Sequence, residues 1–437
     1  MALATAVLVT TLGDPESREA AAADAARRSY IRGSILDRDG NVLSSSSEVM
    51  GTRAYNGGAA FGSVVGYYSK NYGTSGLEAA LDVELTTSDS KSDDKRGHDI
   101  TLTLDPDVQQ TAYQQLINAG VKGAAVALDV KSGEILALAS TPSYDPSRID
   151  TDWAELTQIN GLFLPNAYKQ QFAPGSTFKT VSSIAVVDNG LYDTRVQDDG
   201  SVVVNGQTIE NYAGRAYGSI GLNDAIRVSS NVYFIKQALS MGESNYKKTL
   251  DKLLIGQNIQ LDFTTLKSSY NTGGGKDDNA LVSTAFGQGE TAITPLHMAM
   301  TTQTIANGGK MLRPYMIKGM TNAKGESETV EGTKVLSEVT SQDTCNKVTE
   351  AMVGAAEHYG YSYVGAQGWQ LAAKTGTAQV GDGTSNGWIV SFAPANDPKY
   401  AVIFMAREQD EFGGAFMPNV SRIYDALSSY DYSREDN

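Results

Sequence analysis

Two blocks of strand-forming sequence stand far apart in this chain, and that separation restricts the folds open to it. Gly123–Asp129 and Glu134–Ser140 are apolar runs that turn at Lys131-Ser132-Gly133, a hairpin pattern. Three more strand-like runs come only near the other end, at Leu371–Val380, Trp388–Ala393 and Tyr400–Ala406, and a helix-like segment, Ala415–Leu427, closes the chain. The long stretch between the two blocks reads mainly as helix. Strands from both ends with helices between them predict one antiparallel five-stranded sheet, joined across the inserted middle and flanked by helices. That is an α/β fold of the α+β kind with a helical subdomain. Asp105-Pro106 supplies an N-cap and an N1 proline for the helix that leads into the first hairpin. Val108, Ala112 and Leu116 form its apolar face, and Gly120 ends it.

At 437 residues, two or three domains are expected. Residues 1–29 read as a helical segment. Met1–Leu12 is apolar but only about half the ~20 residues needed to span a bilayer, so it reads either as the remnant of a membrane anchor or as an ordinary helix. Residues 30–100 form a smaller N-terminal region, with the polar stretch Thr86–Arg96 near its end, and residues 101–437 form the main domain. A net charge of −15 argues against a nucleic-acid partner, because phosphate binding needs a basic surface. The single Cys345 rules out an internal disulfide, and with Val348, Met352 and Val353 it falls on a helical apolar stripe, which reads as core. His98, His297 and His358 are scattered, so no metal site and no cofactor are expected.

The chemistry is concentrated in Phe172-Ala173-Pro174-Gly175-Ser176-Thr177-Phe178-Lys179. A Pro-Gly turn opens a helical run, and Ser176 and Lys179, three apart, share a helix face. Serine is a weak nucleophile without a base beside it. A lysine serves as that base when desolvation or neighbouring positive charge lowers its pKa. Ser-x-x-Lys alone is commonplace and reads as an exposed helix start. Two later segments change its weight: Ser229-Ser230-Asn231 and Lys374-Thr375-Gly376-Thr377. Alone, each reads as a helix cap or a strand end. Ser-x-x-Lys, Ser-x-Asn and Lys-Thr-Gly in that order form the three-part signature of penicillin-binding proteins and serine β-lactamases.

The chain resembles a class B, monofunctional penicillin-binding protein, a peptidoglycan D,D-transpeptidase, over nearly everything from about Arg32 onward. Arg32-Gly33-Ser34-Ile35-Leu36-Asp37-Arg38-Asp39-Gly40 is similar to the motif that opens the family's non-catalytic domain. Tyr72-Gly73-Thr74-Ser75-Gly76-Leu77-Glu78, the hairpin from Gly123 to Pro142, Gly287-Gln288-Gly289 and Thr294-Pro295-Leu296 resemble further recurring stretches. The middle position of the Ser-x-Asn motif is the variable one in the family. Two features depart from the pattern: the N-terminal region is short for the class, and the membrane anchor is absent or truncated.

The resemblance implies the penicillin-binding transpeptidase fold, with residues 30–100 as a small pedestal domain and 101–437 as the transpeptidase domain. It implies Ser176 as nucleophile, Lys179 as base and Ser229 as proton relay to the leaving amine. Asn231 donates to a substrate carbonyl. Lys374 either crowds Lys179 with like charge or anchors the substrate carboxylate. Thr375 and Thr377 offer hydroxyls to that carboxylate, Gly376 lets the strand edge approach the substrate, and the backbone N–H groups of Ser176 and Thr377 form the oxyanion hole. The implied partners are peptidoglycan stem peptides, β-lactam antibiotics, a membrane glycosyltransferase and other cell-wall synthesis proteins. The implied place is the extracytoplasmic face of the bacterial membrane. Two rivals stay open here. Pro-x-Ser-Thr-Phe-Lys also resembles oxacillin-hydrolysing β-lactamases, although those usually carry Ser-x-Val, and no Glu-x-x-Leu-Asn segment follows Ser229. A non-catalytic β-lactam sensor would keep the same residues.

Overall fold

This computed structural model describes residues 29–87, 95–330, 332–381, 383–410 and 412–435. The helical segment expected at residues 1–29 lies outside them but for its last residue, as does the middle of the polar stretch Thr86–Arg96. Strand β1 (Ile35–Leu36) turns at Asp39-Gly40 into β2 (Val42–Ser45), which pairs with β3 (Ala54–Tyr55). The turn is built by Asp37, whose Oδ1 accepts the backbone N–H groups of Asp39 and Asn41, both at 2.9 Å. Helix α1 (Gly58–Val65) follows. The short helix Gly76–Ala80 then brings Glu78 inward, where it meets Arg32 and Arg53.

Strand β4 (Asp99–Leu102) lies parallel to β1 and pairs on its other edge with Ile317–Thr321, a strand from much later in the chain. The boundary expected after residue 100 therefore falls inside a strand. The six-stranded N-terminal sheet is completed by residues of the main domain. Arg38 strengthens the seam: its guanidinium donates to Thr103 O and to Glu134 Oε2, both at 3.1 Å.

Beyond the seam, α2 (Pro106–Asn118) starts as expected, with Asp105 Oδ1 accepting from Val108 N at 3.0 Å. It leads into β5 (Lys122–Asp129) and β6 (Ile135–Thr141). The helical middle holds α3 (Lys179–Asp188), α4 (Leu222–Val228), α5 (Asn231–Met241) and α6 (Pro295–Ala306). After β7 (Ile317–Thr321), β8 (Ser327–Thr329) and α7 (Gln342–His358) come β9 (Ala372–Gln379), β10 (Ser385–Ala393), β11 (Tyr400–Gln409) and α8 (Met417–Glu435).

The two strand blocks do join into one five-stranded antiparallel sheet, in the order β9-β10-β11-β5-β6. Its central strands read as continuous apolar runs because both faces are covered. Ala124, Val126 and Leu128 pack on the side of α3 and α6, while Ala125 and Ala127 pack on the side of α2 and α8. Alternation still sorts the residues, one face to each core. Cys345 is buried in α7 beside Val348 and Met352, as its stripe suggests. No described helix is long and apolar enough to cross a membrane.

Candidate active site

The Pro-Gly turn places Ser176 in a tight 3₁₀ turn, Gly175–Phe178, that runs straight into α3 at Lys179. In a 3₁₀ turn, residues three apart eclipse, which aligns Ser176 with Lys179 more closely than an α-helix would. The turn is gripped from both sides. Gly175 sits at φ +54°, and its N–H donates to Gly287 O at 2.9 Å. A Cβ on Gly287 would lie 2.1 Å from Gly175 O, which gives the Gly287-Gln288-Gly289 segment a local reason. Trp388, fully buried on β10, donates its indole N–H to Ala173 O at 2.9 Å, so the turn is tied to the sheet.

Lys179 is fully buried. Its Nζ lies 3.0 Å from Ser176 Oγ, 2.7 Å from Ser229 O, 3.2 Å from Ser229 Oγ and 2.7 Å from Asn231 Oδ1. No carboxylate is among these partners. Burial, and then the positive charge of Lys374, push the amine well below the ordinary lysine value, with Asp198 opposing.

Ser229 can turn its carbonyl to Lys179 because it caps α4 in the left-handed region, φ 59° and ψ 41°. That conformation is unfavourable for a serine and persists only where the surroundings enforce it. The neighbouring Ser230, at the motif position that varies in the family, is fully buried. Its Oγ accepts from Tyr233 N at 2.9 Å, capping α5, and donates to Asp198 Oδ2 at 2.5 Å. Asp198 also accepts from Asn211 Nδ2 at 2.7 and 2.9 Å and from Gly200 N at 2.9 Å. Asn211 Oδ1 in turn accepts from Asn231 N at 2.7 Å. Asn231 already gives one side-chain N–H to Glu210 O at 2.8 Å, leaving one for a substrate carbonyl.

Lys374, Thr375, Gly376 and Thr377 lie on β9, the edge strand nearest the serine turn. Lys374 is fully buried, with Nζ 3.0 Å from Tyr359 Oη and 2.8 Å from Thr375 O. Thr375 and Thr377 are half-buried and line the cleft. Thr377 Oγ1 accepts from Gly413 N at 3.2 Å. At Gly376 the structure shows a close approach to the serine's own turn: the space a side chain would take is filled by Pro174 O and Thr177, each with an atom 2.9 Å from an added Cβ.

These residues meet at one cleft of about 770 Å³. Ser176, Ser229, Asn231, Thr375, Gly376 and Thr377 line it, while Lys179 and Lys374 sit buried beneath. Tyr212 and Phe412 face each other at its mouth, edge to face with centroids 5.7 Å apart. Sequence reasoning missed Asp198, Asn211 and Tyr359. Each is a single polar residue outside any motif, and Asp198-Asp199-Gly200 reads as an ordinary turn. Burial alone would push the Tyr359 phenol up, but the charge and hydrogen bond of Lys374, with hydrogen bonds from Thr375, leave it below the ordinary tyrosine value. Among the described residues no group of three or more His, Cys, Asp or Glu could hold a metal ion.

Comparison with known proteins bears directly on this cleft. A family profile described as the penicillin binding protein transpeptidase domain matches residues 123–422. A second, described as the penicillin binding protein A dimerisation domain, matches residues 32–107. The peptidoglycan D,D-transpeptidase PbpA of Mycolicibacterium smegmatis is 31% identical over 411 residues, which cover 85% of this chain and 82% of the relative. The peptidoglycan D,D-transpeptidase MrdA of Acinetobacter baumannii is 28% identical over 398 residues, 81% of this chain and 58% of the relative. Among solved structures, the D,D-transpeptidase domain of a peptidoglycan glycosyltransferase from Eggerthella lenta superposes with a TM-score of 0.83 at 29% identity, covering 92% of this chain and 99% of that one. The penicillin G acyl-enzyme of penicillin-binding protein A from M. tuberculosis superposes with a TM-score of 0.83 at 27% identity, covering 91% of this chain and 100% of that one.

Proposed function

The chain belongs to the penicillin-binding protein transpeptidase family, and from that premise we infer how its own residues carry the reaction. It is a peptidoglycan D,D-transpeptidase that works through a serine acyl-enzyme. The donor is a stem peptide ending in D-Ala-D-Ala, the terminal D-alanine is released, and β-lactams acylate the same serine by mimicking that dipeptide. Ser176 is the nucleophile and Lys179 its base. The single observation behind this reading is the buried Lys179 amine, 3.0 Å from Ser176 Oγ and without a carboxylate among its hydrogen-bond partners.

A neutral Nζ takes the hydroxyl proton as Oγ bonds to the carbonyl carbon of the scissile amide. The oxyanion is met by the backbone N–H groups of Ser176 and Thr377, a kind of donor worth roughly 3–4 kcal/mol each in another serine enzyme. As the C–N bond breaks, the proton passes from Lys179 through Ser229 Oγ, 3.2 Å away, to the departing amine. Asn231 orients the donor peptide, and Thr375 and Thr377 with Lys374 receive its terminal carboxylate. The amine of a second stem peptide then attacks the acyl carbon, Lys179 takes its proton, and as the ester C–Oγ bond breaks Lys179 returns that proton to Ser176 Oγ, 3.0 Å away. When water takes the amine's place, the same acyl-enzyme gives D,D-carboxypeptidase turnover. This scheme draws on no cofactor.

Residues 30–100 serve as a pedestal between membrane and cleft and as a surface for a glycosyltransferase and other cell-wall proteins, on the extracytoplasmic face. What supports this is the match of residues 32–107 to a non-catalytic family domain and the sheet that binds that region to the main domain. A β-lactamase reading is not favoured, because it does not account for that match, and the oxacillin-hydrolysing kind usually carries Ser-x-Val where this chain has Ser-x-Asn.

Intact-mass and peptide mapping after incubation with penicillin test the reading. The expected result is a covalent adduct on Ser176 that lasts for hours, and D-alanine release with amide formation when a stem peptide and an amine are supplied. An adduct elsewhere, none at all, or one that turns over in seconds would overturn it.

A further inference from the structure

We propose that Tyr359 is the positioning residue for Lys374, holding its ammonium where its charge acts on Lys179 without cancelling that charge. This deepens the reading above and rests on Lys179 being the base. Tyr359 closes the C-terminal end of α7, where its backbone N–H donates to Ala355 O at 3.1 Å and Ala356 O at 3.2 Å. Its ring packs against the apolar cluster of Val196, Ile220 and Phe234. The hydroxyl is thus presented from a fixed backbone and a fixed ring to Lys374 Nζ, 3.0 Å away.

Lys374 needs such a partner. It is fully buried on a flexible four-carbon stem, and its other hydrogen bond goes to the carbonyl of its own neighbour, Thr375. Among the described residues no carboxylate pairs with it. The charged groups facing Lys179 are Lys374, which pushes its amine down, and Asp198, which pushes it up. Facing Tyr359 are Lys374 and, on its own segment, the imidazole ring of His358, with centroids 6.0 Å apart.

The chemistry of the partner matters. A carboxylate at this place would hold Lys374 just as firmly but would neutralise its field, and the Lys179 amine would rise. A phenol accepts the ammonium's hydrogen bond and leaves the positive charge in force. Tyr359 therefore acts through Lys374 on the protonation of the base, with no contact to the reacting atoms required.

The test is the pH profile of acylation by a penicillin reporter, with the full chain. Lys179 acts when neutral, so acylation rises with pH through its lowered pKa. In Tyr359→Phe, Lys374 loses its side-chain anchor. The rising limb is expected to move to higher pH by at least ~0.5 unit, which lowers the rate on that limb by about threefold or more. Tyr359→Glu, which puts an anion beside Lys374, is expected to move the limb further in the same direction. A rate loss equal at every pH, with the limb unmoved, would make Tyr359 merely structural and overturn the proposal. So would a limb that moves to lower pH in Tyr359→Glu. Failure of the underlying reading looks different: the unsubstituted protein would then give no adduct on Ser176.

Discussion

Buried cations occur at two places in this molecule, and the structure treats them in opposite ways. Inside the N-terminal region, Arg32 and Arg53 are almost fully buried, and both meet Glu78, itself fully buried, at 2.6 and 2.7 Å. Arg32 also reaches Asp82 at 2.6 Å, and Ser44 Oγ donates to Glu78 at 2.8 Å. Burial works against the Arg32 guanidinium, yet Glu78 and Asp82 outweigh it and hold it above its ordinary value. In the cleft, Lys179 and Lys374 are buried just as deeply, but each is met by neutral oxygens, and Lys179 is driven down. Burying a charge is costly unless it is paired and hydrogen-bonded. Where the pairing is complete, the cluster is scaffold. Where it is withheld, the cost is converted into a base whose amine gives up its proton well below the ordinary lysine range.

The largest effect is expected where the arginine cluster is left unpaired. Glu78→Ala leaves the buried Arg53 guanidinium without a carboxylate and Arg32 with Asp82 alone, and removing one partner of a buried ion pair typically costs about 3–5 kcal/mol. Denaturant unfolding should show a loss of that size, while the molecules that remain folded acylate at the native rate. Unchanged stability would mean that the arginine cluster, too, tolerates unpaired charge. In the cleft the same kind of deletion should act on rate. Lys179→Ala is expected to slow acylation by at least ~100-fold, the lower range for a lost general base. A stopped-flow acylation rate near the native one would remove Lys179 from the role.

The contrast also shows which parts of this protein can be read from its sequence. The five-stranded sheet was legible because both strand blocks are long and apolar and one of them turns at a recognisable Ser-Gly. The lysine cluster was legible because its members sit in three short motifs whose order carries the information. What holds those motifs in place was not. Ser230 holds the variable position of its motif, yet its hydroxyl bonds a buried Asp198 some thirty residues earlier, and no local pattern announces a partner so distant. Tyr359 is hidden in the same way, as a helix-end tyrosine whose importance comes only from the strand that folds against it. The seam misled for a related reason. Composition marked a boundary near residue 100, but β4 has the alternating pattern of any half-buried strand, and its pairing with β7 is a long-range event.

A smaller effect is expected where the sheet presses on the serine turn. Gly376→Ala adds a methyl group 2.9 Å from Pro174 O and from Thr177 N, both backbone atoms of the turn that carries Ser176. Overpacking of this kind costs about 1–3 kcal/mol. The strain should show as slower acylation at every pH, with the limb of the pH profile unmoved, which separates it from changes at Tyr359. A native acylation rate in Gly376→Ala would mean that β9 and the turn can part without consequence.

The smallest effect expected has the opposite sign. Lys179→Met replaces a buried amine by a side chain of similar length that carries no charge. The folded amine lies well below its ordinary value while the unfolded one does not, so the unfolded chain binds an extra proton throughout the range between the two values. The native state is therefore penalised at neutral pH, and the penalty fades as pH rises towards the unfolded lysine value of about 10.4. Methionine lifts the penalty but leaves Ser229 O and Asn231 Oδ1 without the amine they accept from. The net gain should then be small, about 1 kcal/mol at pH 7, in the range common for substitutions that relax a functional site. Melting curves taken from pH 7 to 10 should show that gain shrinking as pH rises, in a protein that no longer acylates. If Lys179→Met is instead less stable than the native chain at pH 7 and the two keep a constant difference at higher pH, the amine is paired after all, and the cleft is held together in the same way as the arginine cluster.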